Sequence, residues 1–422
     1  MKKSLIFAAT AAVVLSACAK VDTYKVSEQE AVSFGVYAGN AANTKAASAT
    51  DYGTVTTASL QAAASKGFGV FGYYTDAAAY TSGSFKANFM YNQQVKYSGG
   101  NWTYNPVKYW PNEHGASAIS AEVDKLTFLA YAPFVENFQI GTDNGVSIKD
   151  NQATAAAATE GITAMTANNV AGDATLTFVV PASSEEQIDL LYGTLGAKSV
   201  NVDGDEEGTV GGAIENLTKE KTGGKINILF KHALAKIAID IKEVVDAVAP
   251  TTLVNPASDG TKVVVKSLKL KGTDIGTQGE LNLYTAAWNV TTTAAEFTVA
   301  PLPADISVDA APTDYSVLPA GVDEDGLAKT IDLMLIPATT SEISGVEIVY
   351  YVCTEDSQLD GGVSVVEDKI SKDFAAPLAI AMGKQYNLNV LLGLTSVDLT
   401  ATVEAWDVTT PDTNVDLPKN VE

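Results

Sequence analysis

Short runs of alternating apolar and polar residues, each closed by Gly, Asn, Asp or Pro, recur along almost the whole of this chain. Helical periodicity is scarce. Such a pattern places successive side chains on opposite faces of a pleated strand, so the chain must solve its folding problem by pairing strands. In the first half the expected strands are 68–75, 86–97, 102–109, 126–132, 175–180 and 187–192. "SGGN" at 98–101 sits between two aromatic runs and reads as the turn of a hairpin. The second set is expected at 226–242, 262–271, 279–284, 296–301, 330–337, 345–353, 384–393 and 398–406. Only 59–67, closed by Gly67, reads as a short helix, and 153–165 is ambiguous. Between the two sets lies 201–225, rich in Gly and charge. The expectation is therefore an all-β protein of two tandem antiparallel β-sandwich domains, 46–225 and 226–422.

Charge narrows the function. The chain of 422 residues carries a net charge of -23, and all 27 basic residues are lysines. An acidic surface without arginine forks is a poor match to phosphate backbones, which argues against nucleic acid as a partner. It suits a solvated surface outside the cell.

The N-terminus carries the clearest local signal. "MKK" is followed by the apolar "SLIFAATAAVV" and then by "LSAC", ending at Cys18. The apolar run is short for a membrane span and fits an export signal over 1–17. "LSAC" resembles a bacterial lipobox, which implies cleavage before Cys18 and acylation of its thiol and amine. The other cysteine, Cys353, lies in "EIVYYVC" and reads as a small buried strand residue.

Just beyond, "AVSFGVYAGNAANTKAAS" (31–48) joins a strand with Val32, Phe34 and Val36 on one face to a small, polar stretch around Lys45. Stretches of the second kind are where proteases nick most easily. At the other end, 399–418 combines apolar alternation with a Pro-bounded tail in which Val415 and Leu417 could form a mobile insert.

Catalytic signatures fail one by one. The two histidines, His114 and His232, lie far apart with no HExxH or Cys/His cluster, so no metal site is expected. His232, flanked by Phe230, Leu234 and Ile237, reads as a packed or rim histidine. There is no GxSxG elbow, no P-loop and no GxGxxG opening a helix. "DGDEEG" (203–208) imitates the start of a calcium loop, but the twelfth position is Ile214, where a bidentate Glu is needed. The aromatics Tyr73, Tyr74, Tyr91, Tyr97, Trp102, Tyr104, Tyr109 and Trp110 offer either a glycan platform or cross-strand core packing, and packing is the simpler reading. Neither an enzyme nor a cofactor is expected.

The ordered set of motifs resembles the fimbrillins, the type V pilin superfamily of Bacteroidales. The pieces are "LSAC", "VSFGVYAG" with "TKAAS", "FMYNQQVKYSGGNWTYNPVKYWP" with "DKLTFLAYAPF", "QIDLLYG", "ILFKHALAKIAIDIK", "LKLKGTDIGTQGELNL" with Trp288, "IDLMLIPA", and "MGKQYNLNVLLGL" leading to "VEAWD". They cover nearly the whole mature chain. The resemblance implies two transthyretin-like sandwich domains and an assembly cycle. In it the precursor is lipidated at Cys18 and held at the outer membrane, and 18–45 is a propeptide. A surface protease cuts after Lys45 to leave Ala46 as the new N-terminus, which removes the strand of Val32, Phe34 and Val36. The vacated groove then takes a strand from the next subunit, with Val415 and Leu417 in the candidate donor tail. In the family the residue before the cut is usually arginine, and here it is lysine. The implied role is a pilin of a cell-surface fimbria serving adhesion, with other fimbrial subunits and a surface protease as partners. The alternatives are a tip or accessory adhesin, or an outer-membrane glycan-binding lipoprotein that is never cut.

Overall fold

The computed structural model describes residues 30–38, 55–115, 121–140, 145–149, 160–196, 199–200, 206–207, 209–243, 260–319, 329–392 and 397–406. The protein is all-β, with two short α-helices, Thr57–Gln61 and Lys219–Thr222, among the described residues. The first helix starts where Thr56 and Ser59 each accept a hydrogen bond from the other's backbone N–H, a reciprocal capping box.

Three large sheets carry the fold. The first runs, in spatial order, through Ser33–Tyr37, Lys225–His232, Leu191–Leu195, Lys125–Ala132, Phe68–Asp76, Met90–Ser98 and Asn101–Thr103, with Ile214–Leu217 also paired to Lys125–Ala132. The second runs through Lys329–Leu335, Ala235–Glu243, Lys384–Leu392 and Val397–Ala405. The third runs from Val363–Ala379 through Glu342–Glu355, Thr261–Asn282, Thr175–Val179, Gly161–Met165 and Gly145–Lys149 to Glu136–Ile140, with Ala287–Val299 on Thr261–Asn282. The pairing is antiparallel except for Ser33–Tyr37 on Lys225–His232 and Ala235–Glu243 on Lys384–Leu392.

Alternation decides which faces are buried. In Ala235–Glu243 the residues Ala235, Ile237, Ile239 and Ile241 point into the core, opposite Tyr386, Leu388, Val390 and Leu392 from the same face of the neighbouring strand. They pack with Val263, Val265, Leu268, Leu270, Val346, Ile348 and Tyr350 of the third sheet, so the second and third sheets form a sandwich. Phe71, Tyr73, Leu129 and Tyr131, from one face of the first sheet, join this same core. The opposite face of that sheet, with Phe68, Val70, Phe128, Ile228 and Phe230, forms a second core together with Val32, Phe34 and Leu60.

The structure departs from the sequence reading at informative places. The expected strand 226–242 is two strands, because the chain passes from the first sheet to the second at Ala233 and Leu234. The expected strands 262–271 and 279–284 are one 22-residue strand, Thr261–Asn282, whose register shifts let it serve several partners. Within the ambiguous 153–165, the described part is a strand, Gly161–Met165. The sheets also interleave the two halves of the sequence: Thr175–Val179 pairs with Thr261–Asn282, while Lys225–His232 belongs to the first sheet.

Candidate functional site: the seat of the first strand

Ser33–Tyr37 lies at the end of the first sheet, parallel to Lys225–His232, with Ser33 opposite Lys225 and Tyr37 opposite Leu229. Its alternation sends Val32 and Phe34 inward, where they are 1% and 3% exposed, and Val36 packs half-buried against the same core. The Phe34 ring meets Phe68, Phe128 and Tyr104 edge-on, at centroid separations of 6.0, 6.0 and 5.7 Å.

Segment 104–110 closes over the strand's other side. Val32 N–H donates to the Lys108 carbonyl at 2.9 Å, Trp110 N–H to Glu30 at 3.0 Å, and the Tyr104 hydroxyl to Val32 at 2.7 Å. The Trp110 indole N–H and the Ser33 hydroxyl both donate to the Gly224 carbonyl, at 3.0 and 3.2 Å. Where the strand ends, Ala38 N–H donates to the Thr57 hydroxyl at 2.7 Å, and Thr57 N–H returns a bond to Ala38 at 2.9 Å. Burial of three side chains of this class stabilises the seated strand by about 5–8 kcal/mol, with ladder hydrogen bonds adding modestly. Of the expected site residues, the structure therefore brings Val32, Phe34 and Val36 together on one core. Cys18, Lys45, Ala46, Val415 and Leu417 lie outside the described residues.

Most of these aromatics are engaged in packing. Tyr73 and Trp110 are buried, Tyr91, Trp102 and Tyr104 pack half-buried against the cores, and Tyr109 is exposed. The imitation calcium loop falls largely outside the described residues.

Two further clusters were hidden from the sequence, because their members come from distant stretches. Asp189, fully buried, accepts Val55 N–H on Oδ2 at 2.6 Å and faces His232 Nδ1 with Oδ1 at 2.9 Å. The His232 ring stacks on Trp406 with centroids 3.8 Å apart and planes 8° from parallel. His232 is thus packed, as expected, but the sequence names neither partner. The second cluster joins His114 Nδ1 to Asp124 Oδ1 at 3.1 Å and to Asp76 Oδ1 at 3.6 Å. The hydrogen bond to Asp124 holds the imidazole above its ordinary pKa, with Asp124, Asp76 and Glu113 charges adding and solvent loss opposing. These three side chains are also the one set among the described residues spaced to hold a metal ion. A protonated His114 between two carboxylates accounts for the same geometry.

With this geometry in place, the comparisons decide the family. The sequence matches the fimbrillin-like family over residues 44–406. The chain belongs to the fimbrillin-like family. One relative, the fimbrium subunit Fim1C of Phocaeicola vulgatus, is 30% identical over 219 residues, covering 51% of this chain and 44% of the relative. The match thus spans less than half the length of that curated relative. Among solved structures, a fimbrial protein from Bacteroides vulgatus aligns with a TM-score of 0.58 at 21% identity, covering 89% of this chain and 99% of the other, which supports the fold. A putative cell adhesion protein from Bacteroides uniformis aligns at a TM-score of 0.44 and 15% identity, over 90% and 99% of the two chains.

Proposed function

We propose that this fimbrillin-like chain is a structural subunit of a cell-surface fimbria, exported as a lipoprotein and polymerised by strand exchange after proteolysis at Lys45. The observation that carries this reading is the first strand. It is short, it lies at one end of its sheet, and it inserts Val32 and Phe34 into a core built, apart from Val36 and Ala38 beside them, from residues 55–230. Removing it would open an apolar slot along Lys225–His232 and free the backbone groups of that strand, which favours β-augmentation by another chain. Because donor and acceptor are different surfaces, the product is an open, head-to-tail filament. The family match opens at residue 44, beside Lys45, and closes at residue 406, ahead of the candidate donor tail with Val415 and Leu417.

On this reading Cys18 carries the acyl chains that hold the precursor at the outer membrane, and Ala46 is the mature N-terminus. A surface protease that accepts lysine is the processing partner, and other fimbrial subunits are the assembly partners. The body then comprises residues 46–422, in which the sheets draw strands from both proposed domains, 46–225 and 226–422. Several aromatics at 91–110 are engaged in packing, Tyr97 with Trp102 and Tyr104 with Phe34, which favours the subunit reading over an adhesin face.

The test is the N-terminus and intact mass of the protein recovered from the cell surface. A lipid-free chain starting at Ala46 supports the proposal. A full-length chain acylated at Cys18 overturns it and favours the uncut lipoprotein.

A further inference from the structure

We infer that Asp189, His232 and Trp406 form one joint that pins two distant points of the chain together, and that Asp189 and His232 act as positioning residues for the chain beyond Trp406. The inference rests on the strand-exchange reading for its purpose, but its geometry stands apart from it. Val55 lies ten residues past Lys45 in the sequence. Its N–H donates to Asp189 Oδ2 at 2.6 Å. Asp189 Oδ1 faces His232 Nδ1 at 2.9 Å, and the His232 ring lies flat on Trp406, the last described residue before the C-terminal stretch. The Trp406 backbone is held as well: its N–H donates to Gly383 at 2.9 Å, and Gly383 N–H donates to Leu234 at 3.0 Å.

Two points far apart in the sequence, Val55 and Trp406, therefore converge on one buried carboxylate and one imidazole. The place where they converge is specific. His232 closes the strand against which the first strand lies, and Tyr37, opposite Leu229, is the last residue of that pairing. Three residues of strand separate Leu229 from His232, about 10 Å at the usual rise. Trp406 thus rests on the residue that closes the strand forming the seat, just past the end of its pairing with the first strand. A fixed root at that point sets where the donor of one subunit starts relative to the acceptor groove of the same subunit, and so how successive subunits are spaced. A core contact alone needs neither a flat ring stack nor a carboxylate with one oxygen on each partner.

The experiment compares the full chain with Trp406→Ala, Trp406→Phe and Asp189→Asn, before and after cleavage at Lys45 by a lysine-specific protease. Amide hydrogen exchange is read at Val55 and across 397–406, and assembly is read by size-exclusion chromatography. A single joint predicts that Trp406→Ala speeds exchange at Val55 by tenfold or more through Asp189 and His232, which link the two in the chain of contacts, that Trp406→Phe restores protection, and that assembly of the cut chain falls with Trp406→Ala. Unchanged exchange at Val55 in Trp406→Ala overturns the inference. Should Asp189→Asn fail to fold, the Trp406 pair, altered at a half-buried ring, carries the test. Wild-type chain that stays monomeric after the cut refutes the fimbrial reading, while the exchange at Val55 still decides the joint.

Discussion

Tyr104 holds Val32 and Phe34 by two different means. Its hydroxyl donates to the Val32 carbonyl at 2.7 Å, and its ring meets the Phe34 ring at a centroid distance of 5.7 Å. One side chain from the 101–110 region thus clasps both the backbone and the core-facing ring of the first strand. The same hydroxyl oxygen accepts Lys108 N–H at 3.3 Å, from the residue whose carbonyl receives Val32 N–H. The clasp is therefore a closed set of contacts.

Phe34→Ala leaves a cavity among Phe68, Phe128 and Tyr104. The intact chain should lose about 3–5 kcal/mol in urea unfolding. The same substitution should cost nothing in a chain cut at Lys45 and freed of its first strand. Equal losses in both forms would mean that the strand does not leave.

Tyr104→Phe keeps the ring and removes the hydroxyl. A loss of about 0.5–1.5 kcal/mol is expected, the usual net worth of one hydrogen bond. Release of the nicked first strand, followed by mass spectrometry under native conditions, should be faster than in the wild type.

Asp173 ties 80–83 to the long strand Thr261–Asn282, accepting from Ser82 at 2.6 Å, Tyr80 at 2.8 Å, Asn282 at 3.0 Å and Gly83 N–H at 3.3 Å. Burial pushes its carboxyl up, but the bonds from Ser82, Asn282, Tyr80 and Gly83 outweigh this and hold its pKa below the ordinary value of 3.8. A carboxylate with a lowered folded pKa stabilises above its unfolded pKa, and the benefit is lost as pH falls through the folded value. Asp173→Asn should therefore melt earlier than wild type at pH 7, and the gap should narrow below pH 4, as read by calorimetry across pH.

His114 has the opposite sign. Its pKa is raised above 6.5, first by the hydrogen bond to Asp124. Its stabilising contribution is present in full below the unfolded value and fades as pH rises through the folded one. His114→Gln should be less thermostable than wild type at pH 5.5 and indistinguishable from it well above the folded pKa. A constant gap across that range would show that protonation is not involved. Added zinc that raises the wild-type melting temperature but not that of His114→Gln would reassign the cluster as a metal site.

Local pattern made some elements plain and left others invisible. Lys384–Leu392 alternates cleanly, since one of its faces is sealed in the sandwich, and Ala235–Glu243 keeps the alternation although Lys236 and Ala238 on its other face are buried too. Val363–Ala379 escaped notice because most of its side chains meet solvent on both faces, so its 17 residues carry charges where a half-buried strand would show apolar ones. The switch at Ala233 and Leu234 is equally silent, because both residues are buried like their neighbours and no turn residue marks the change of sheet. The buried alternation of Val32 and Phe34 could be read locally. The partners of His232 could not, since Asp189 and Trp406 approach it through tertiary structure alone.

The residue-by-residue pairing of Ser33–Tyr37 with Lys225–Leu229 sets a unit of length. A strand that replaced it could slide by two residues and still turn an apolar face inward, but a slide of one would turn that face to water. Axial placement of any newcomer in this seat is therefore quantised in steps of about 6.6 Å. A polymer joined through it would inherit a ruler whose smallest error is one such step, large enough for cryo-electron microscopy of single filaments to count.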